Sequence, residues 1–158
     1  MGKVKMVLSW WIPMVLITVA LMTPAVAEAK SIKIWPDQMR PIDPTSYYRQ
    51  EVSYVSNSSF YAPINVPVGA RITKITLYHY GMGSPALTEI QIFRTKMDNV
   101  TEFLLSANSS DSTGQVVPVD LSLSAEFGTI RTGYRYFFRV TSQNTASQIK
   151  GVKITYQE

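Results

Sequence analysis

The sequence predicts an all-β chain: a single sandwich or barrel of short antiparallel strands behind an N-terminal signal peptide. Three observations carry this. The first 29 residues have the zones of a secretory leader. After them, short apolar/polar alternations recur, separated by Gly, Pro, Asn and Ser clusters. No amphipathic helix of useful length follows the leader, and Ser124 to Phe127 is at most a single turn.

Residues 1–29 read as the signal peptide. Lys3 and Lys5 form the positive start, and Met6 to Met22 is almost wholly apolar. Thr23-Pro24 then breaks the helix ahead of Ala25-Val26-Ala27-Glu28-Ala29, which offers two overlapping small-x-small cleavage sites. The competing reading is a retained anchor, since the apolar run is long for a leader and just short of a span. Pro13, Pro24 and the alanine-rich end favour cleavage. Either way the domain lies outside the cytoplasm: secreted, periplasmic or at the cell surface. Contact with the membrane is then expected only through an uncleaved leader.

Residues 30–58 form an extended segment. Ser31 to Trp35 alternates as a short strand, Pro36, Pro41 and Pro44 interrupt regular structure, and Tyr47 to Val55 is strand-like again. A β-prone strand on a proline-rich tether suits addition to a neighbour's sheet edge. Self-association into a structural subunit of a surface layer or filament is therefore one function class to weigh.

Residues 59–158 are the sandwich proper. Phe60 to Val66 runs into the Pro67-Val68-Gly69 turn. Ala70 to Tyr80 follows, with Ile75, Leu77 and His79 on one parity and Lys74, Thr76, Tyr78 and Tyr80 on the other. Ile72 is out of step with Ile75, which predicts a bulge between them. Gly81 to Pro85 reads as a loop, Thr88 to Thr95 as a strand with Ile90 and Ile92 inward, and Val100 to Ala107 as a strand of unclear parity. Asn108 to Gly114 reads as a polar loop. Val117 to Leu123, Tyr134 to Val140 and Val152 to Tyr156 then alternate cleanly, the last two as expected hairpin partners. Alternation of this kind gives sheets with one face in the core and one face wet.

The stretch Tyr61-Ala62-Pro63-Ile64 with Gly69-Ala70-Arg71-Ile72-Thr73-Lys74-Ile75-Thr76-Leu77, then Gly133 to Val140, and the closing Gly151-Val152-Lys153-Ile154-Thr155-Tyr156, resembles a pattern of exported bacterial β-sandwich proteins of unassigned role. The resemblance covers about the last hundred residues. It implies a jelly-roll-like β-sandwich, and it brings no catalytic residues with it.

Composition narrows the chemistry. The chain has no cysteine, which removes disulfides and thiolate metal sites. A domain of roughly 130 residues buries about two-thirds of its unfolded surface and stands without staples. Beyond Ala29 there are 13 Lys/Arg and 10 Asp/Glu, and no basic run. That argues against nucleic acid as partner. A lone histidine, His79, has neither a G-x-S-x-G elbow nor an H-E-x-x-H to work with, and its parity turns it toward the core.

The acids sit mostly in or beside turns and form no spaced pair, so a glycan hydrolase or lyase using Asp98, Asp111 and Asp120 is the weakest class. No cofactor is expected. Calcium is the one ion the ligand types suit, through Asp98 and Asp111, although no D-x-D-x-D-G loop exists. Asn57, Asn99 and Asn108 open N-x-S/T sequons, close to the number chance gives in so Ser/Thr-rich a chain.

The aromatic residues are the informative class. Tyr78 and Tyr80 share a face two residues apart, as a sheet would present a stacking platform to sugar rings. Ordinary sandwich packing is the competing explanation for them. The leading expectation is an exported, non-catalytic binding or surface module for polysaccharide or cell-envelope material.

Overall fold

The computed structural model describes residues 28–42, 48–49, 52–54, 58–142 and 147–158. The expected leader therefore lies outside the described residues, apart from Glu28 and Ala29. Among the described residues no helix is long and apolar enough to cross a membrane.

Nine strands are described: β1 Ala29–Ile34, β2 Arg40–Pro41, β3 Tyr48–Arg49, β4 Val52–Tyr54, β5 Ser58–Pro63, β6 Arg71–Lys96, β7 Thr101–Ser122, β8 Tyr134–Ser142 and β9 Ser147–Gln157. One short helix, α1 Ala125–Gly128, falls where the single turn was expected. All named pairings are antiparallel.

The fold is a sandwich built around one long ribbon. The first part of β6 pairs with β9, and its second part pairs with β8, while β7 follows it along both. The ribbon therefore passes from one layer to the other. The front layer holds β1 and β4 side by side on one edge of β9, then β9, the first part of β6 and the end of β7. The back layer runs β2, β5, β8, the second part of β6 and the start of β7.

This arrangement corrects three local readings. Gly81 to Pro85 and Asn108 to Gly114 are not loops: the strands continue through them, with register shifts after Tyr80 and Met82. Glycine, proline and serine mark the bend there, and the facing strand supplies the backbone partners a free loop would lack. Also, β8 and β9 are not hairpin partners. In the sheet order β6 stands between them. Finally, Ser31 to Trp35 is not a free donor strand. Ala29–Ile34 is zipped to β9 of its own chain over six pairs, from Ala29↔Gln157 to Ile34↔Val152. With its ladder filled by β9, β1 does not support a surface-layer subunit built by strand exchange.

The expected bulge is present, as a register shift between Ile72 and Lys74 against β9. It returns Ile72 to the inward face shared by Ile75 and Leu77. The unclear parity of Val100 to Ala107 has the same origin. Ile92 faces Leu105 and Phe93 faces Phe103, so Leu104 is the extra residue of a bulge.

Between the layers lies one core containing Phe60, Ile72, Ile75, Leu77, Ile90, Ile92, Phe138, Val140, Ile149 and Ile154, all essentially inaccessible to water. His79 is buried with them, its Nε2 2.7 Å from Ser109 Oγ, and Thr88 donates to Ser147 Oγ at 3.1 Å. These buried polar groups sit where the ribbon changes layer. Phe138 is fully enclosed, so Phe138→Ala is expected to cost about 3–5 kcal/mol through lost burial and the cavity left behind. Urea unfolding at constant m-value would read this directly.

Candidate functional site

With the inward faces filled, function has to be sought on the outer faces and edges. The outer face of the front layer carries Lys33 from β1, Lys74, Thr76, Tyr78 and Tyr80 from β6, Asp120 and Val116 from β7, and Lys153 from β9. Their ladder partners show that they share one side: Lys33↔Lys153, Thr76↔Lys153, Thr76↔Asp120, Tyr80↔Val116.

The centre of this face is Gly151. Tyr78 is its ladder partner on β6. On the other side β1 ends with Ile34 opposite Val152, which brings Trp35 alongside Gly151. A β-carbon on Gly151 would lie 3.1 Å from the Ile34 carbonyl oxygen and 3.8 Å from Trp35 Cε3. Tyr78 and Trp35 thus rise on the two strands that flank β9, with strand axes about 10 Å apart, and a glycine is the floor between them. The resulting groove has a volume of 260 Å³ and is predominantly apolar. Val116 extends one side, and Lys33, Lys150 and Lys153 stand around it.

Trp35 is held from both directions. Upstream is the β1 ladder. Downstream, Pro36–Gln38 form a single 3₁₀ turn with proline at its first position, where its missing N–H costs nothing. The Trp35 N–H donates to Gln38 Oε1 at 2.9 Å, and the Gln38 N–H donates back to the Trp35 carbonyl at 3.0 Å. Buried Pro36 and Met39 seat the turn against the core. The indole remains 54% exposed. A large aromatic surface is thus open to solvent on a backbone that is fixed, which limits the ordering cost of binding.

Tyr80, the second residue of the expected platform, is on the same face. It lies outside the groove, with the Lys150 ammonium 5.7 Å from its ring centroid. Lys74 Nζ pairs with Asp120 Oδ2 at 2.6 Å, and Thr76 donates to Asp120 Oδ1 at 2.6 Å. The lysine and then the threonine hold the Asp120 carboxyl below the ordinary aspartate range.

The candidate calcium ligands are not brought together. Asp98 is in the exposed β6–β7 turn, where its Oδ1 accepts from the Val100 N–H at 3.2 Å and supports the left-handed Asn99, φ 66°. Asp111 pairs with Ala86, far down the ribbon from the Thr95↔Thr101 pair that closes that turn, roughly 30 Å away at strand rise. Asp120 belongs to the front layer, so the three acids proposed for hydrolysis are also dispersed. Among the described residues no three His, Cys, Asp or Glu side chains come together.

The back layer has its own aromatic row. Phe103, Phe93 and Phe137 point outward from three adjacent strands. Phe93 stacks on Phe137 at 5.2 Å and meets Phe103 edge-on at 5.6 Å. The Arg139 guanidinium lies 5.3 Å over the Phe93 ring and donates through Nε to Gln91 Oε1 at 2.8 Å. Phe137 also lines a groove on this layer, with Tyr61, Arg40 and Arg135, and Phe103 stays 55% exposed. Trp35 and Tyr78 line the front-layer groove together.

No protein-family model matches the chain, and no curated protein matches it in sequence. Solved structures do resemble it in shape. A xylan-binding module, CBM15, superposes with a TM-score of 0.52 at 13% identity, over 81% of this chain and 97% of that one. The fold is a jelly-roll β-sandwich. A CBM36-1 domain of a multidomain xylanase from the hindgut metagenome of Trinervitermes trinervoides gives 0.50 at 10% identity, over 79% of this chain and 96% of that one. The Clostridium thermocellum endo-1,4-β-D-xylanase 10B structure, comprising CBM22-1 and GH10 modules complexed with xylohexaose, gives 0.52 at 10% identity over 82% of this chain. The chain spans only 28% of that enzyme's length. Among solved structures, then, this fold recurs in carbohydrate-binding modules. At these identities the likeness is one of fold.

Sequence reasoning singled out Tyr78 and missed Trp35, Gly151 and the three lysines. Trp35 shares its strand parity with Ser31 and Lys33, so its outward direction was readable. That β1 would pair with β9 and set the indole beside Tyr78 was not.

Proposed function

We propose that the protein is an exported, non-catalytic module that binds polysaccharide in the groove between Trp35 and Tyr78. The observation that carries the reading is that groove: two aromatic walls on fixed strands, a glycine floor, and an open apolar lining on the outer face of a sandwich. Sugar rings offer apolar C–H faces to such walls and hydroxyls to a polar rim. The recurrence of this fold among carbohydrate-binding modules supports the reading. Asp98, Asp111 and Asp120 are dispersed, so these three acids do not form a hydrolytic pair.

Export belongs to the same proposal. It rests on the zones of residues 1–29, and β1 begins at Ala29, where the leader is expected to end. In this reading residues 1–29 are removed. Residues 30–58 then supply edge strands and the Trp35 wall, and residues 59–158 supply the rest of the sandwich.

The test uses the protein produced with its own leader. It is mixed with insoluble polysaccharides and with purified cell envelope, and free protein is measured after sedimentation against a sample spun alone and a heat-unfolded control. Selective depletion of folded protein by at least one polysaccharide is expected. Failure of every polysaccharide to deplete it would sink the proposal.

A further inference from the structure

The polar rim of the groove has a single sign. Lys33, Lys150 and Lys153 surround it, and among the described residues no acidic side chain lines it. Lys33 and Lys153 stand directly opposite each other on paired strands, on the same outward face. Like charges at facing ladder positions are destabilising. Three ion pairs form among the described residues: Lys30 with Glu158, Lys74 with Asp120 and Arg94 with Glu102. At the groove no ion pair forms for Lys33, Lys150 or Lys153 among the described residues. Asp120, on the same face, pairs with Lys74 and accepts from Thr76.

We propose that the groove selects an anionic glycan, one whose sugar rings carry carboxylates. The proposal rests on the glycan-binding reading above and names its ligand class. A ring stacked between Trp35 and Tyr78 lies over Gly151, with Lys33 and Lys153 beside it on neighbouring strands. A carboxylate on that ring reaches between the two ammonium groups and converts their repulsion into two charge-assisted contacts. The free protein carries the strained lysine pair, and the ligand relieves it. The aromatic walls are what separates this site from a general cation patch: a polyanion without rings has nothing to stack.

The experiment compares polygalacturonate with the same polymer after carboxyl reduction to neutral galactan, by titration of intrinsic Trp fluorescence. The wild type and a Lys33→Gln/Lys153→Gln double variant are both titrated, and poly-glutamate and single-stranded DNA serve as ring-free and nucleotide polyanions. Wild type is expected to bind the acidic chain about tenfold or more tightly than the neutral one, with the preference shrinking as salt rises. The double variant should lose the preference while keeping an equal or higher Tm, since it removes a repulsion and both side chains lie on the outer face.

Equal wild-type affinity for both polymers would overturn the anionic inference and leave the glycan-binding reading standing. A double variant that retains the full preference would also overturn it. Binding of poly-glutamate or DNA as tight as that of polygalacturonate would show a cation patch and overturn the glycan class. A wild type that binds neither these polymers nor any polysaccharide in the sedimentation test removes both readings together.

Discussion

Trp35→Ala is expected to weaken polysaccharide binding by about thirtyfold, the size of a hot-spot aromatic of ~2 kcal/mol. The same change should alter stability by less than ~1 kcal/mol, because more than half of the indole faces water already and the core does not lean on it. The split between the two readouts is the point of the experiment. A residue that merely packs would show the reverse pattern. Phe103→Ala is the matched control. It removes an equally exposed aromatic, 55% accessible, from the opposite layer. With the site in the front groove, Phe103→Ala leaves affinity unchanged. Loss of binding in the Phe103 variant and none in the Trp35 variant would move the site to the Phe103–Phe93–Phe137 row. Isothermal titration with the depleting polysaccharide, alongside thermal melts of each variant, gives both quantities.

The sandwich was legible because its inward faces obey period two over long stretches, and the layer architecture follows from burying them. Even the bulge at Ile72 could be read, since two isoleucines three apart cannot share one face of a regular strand. The bend at residues 81–87 was not legible as strand. Glycine and proline report local backbone freedom, and whether such a segment hangs free or continues a ladder is decided by its partner, here residues 110–113 of the same ribbon. The groove was half legible for the same reason. Tyr78, Trp35 and Lys33 each announce their outward direction by parity. Their convergence depends on β1 and β6 both choosing β9, a pairing between the two ends of the chain that no local pattern encodes. The lysine pair is the clearest case. In sequence Lys33 and Lys153 are two unremarkable surface cations, and only the register Lys33↔Lys153 makes them a site.

Gly151→Ala tests that convergence from beneath. Gly151 has φ 145°, where a side chain strains the backbone by about 1–3 kcal/mol. Its new methyl would also meet the Ile34 carbonyl at 3.1 Å and approach the Trp35 ring. Gly133→Ala separates these causes. Gly133 has φ 81°, but a β-carbon there meets nothing within 4 Å, so it pays strain alone. Both variants should melt earlier than wild type. Gly151→Ala should lose more, because the clash falls on the last pair of the β1–β9 ladder, and that pair can open only by lifting Trp35 off the sheet. Binding measured well below either melting temperature should therefore fall in Gly151→Ala and stay intact in Gly133→Ala. Equal melting losses with undiminished binding in both would mean that the Trp35 wall stands independently of the strand beneath it, and that the groove needs no glycine floor. The expected divergence ties three levels together: a backbone conformation open to glycine, a strand pairing that this glycine lets close, and a pair of aromatic walls held at the separation of two strands.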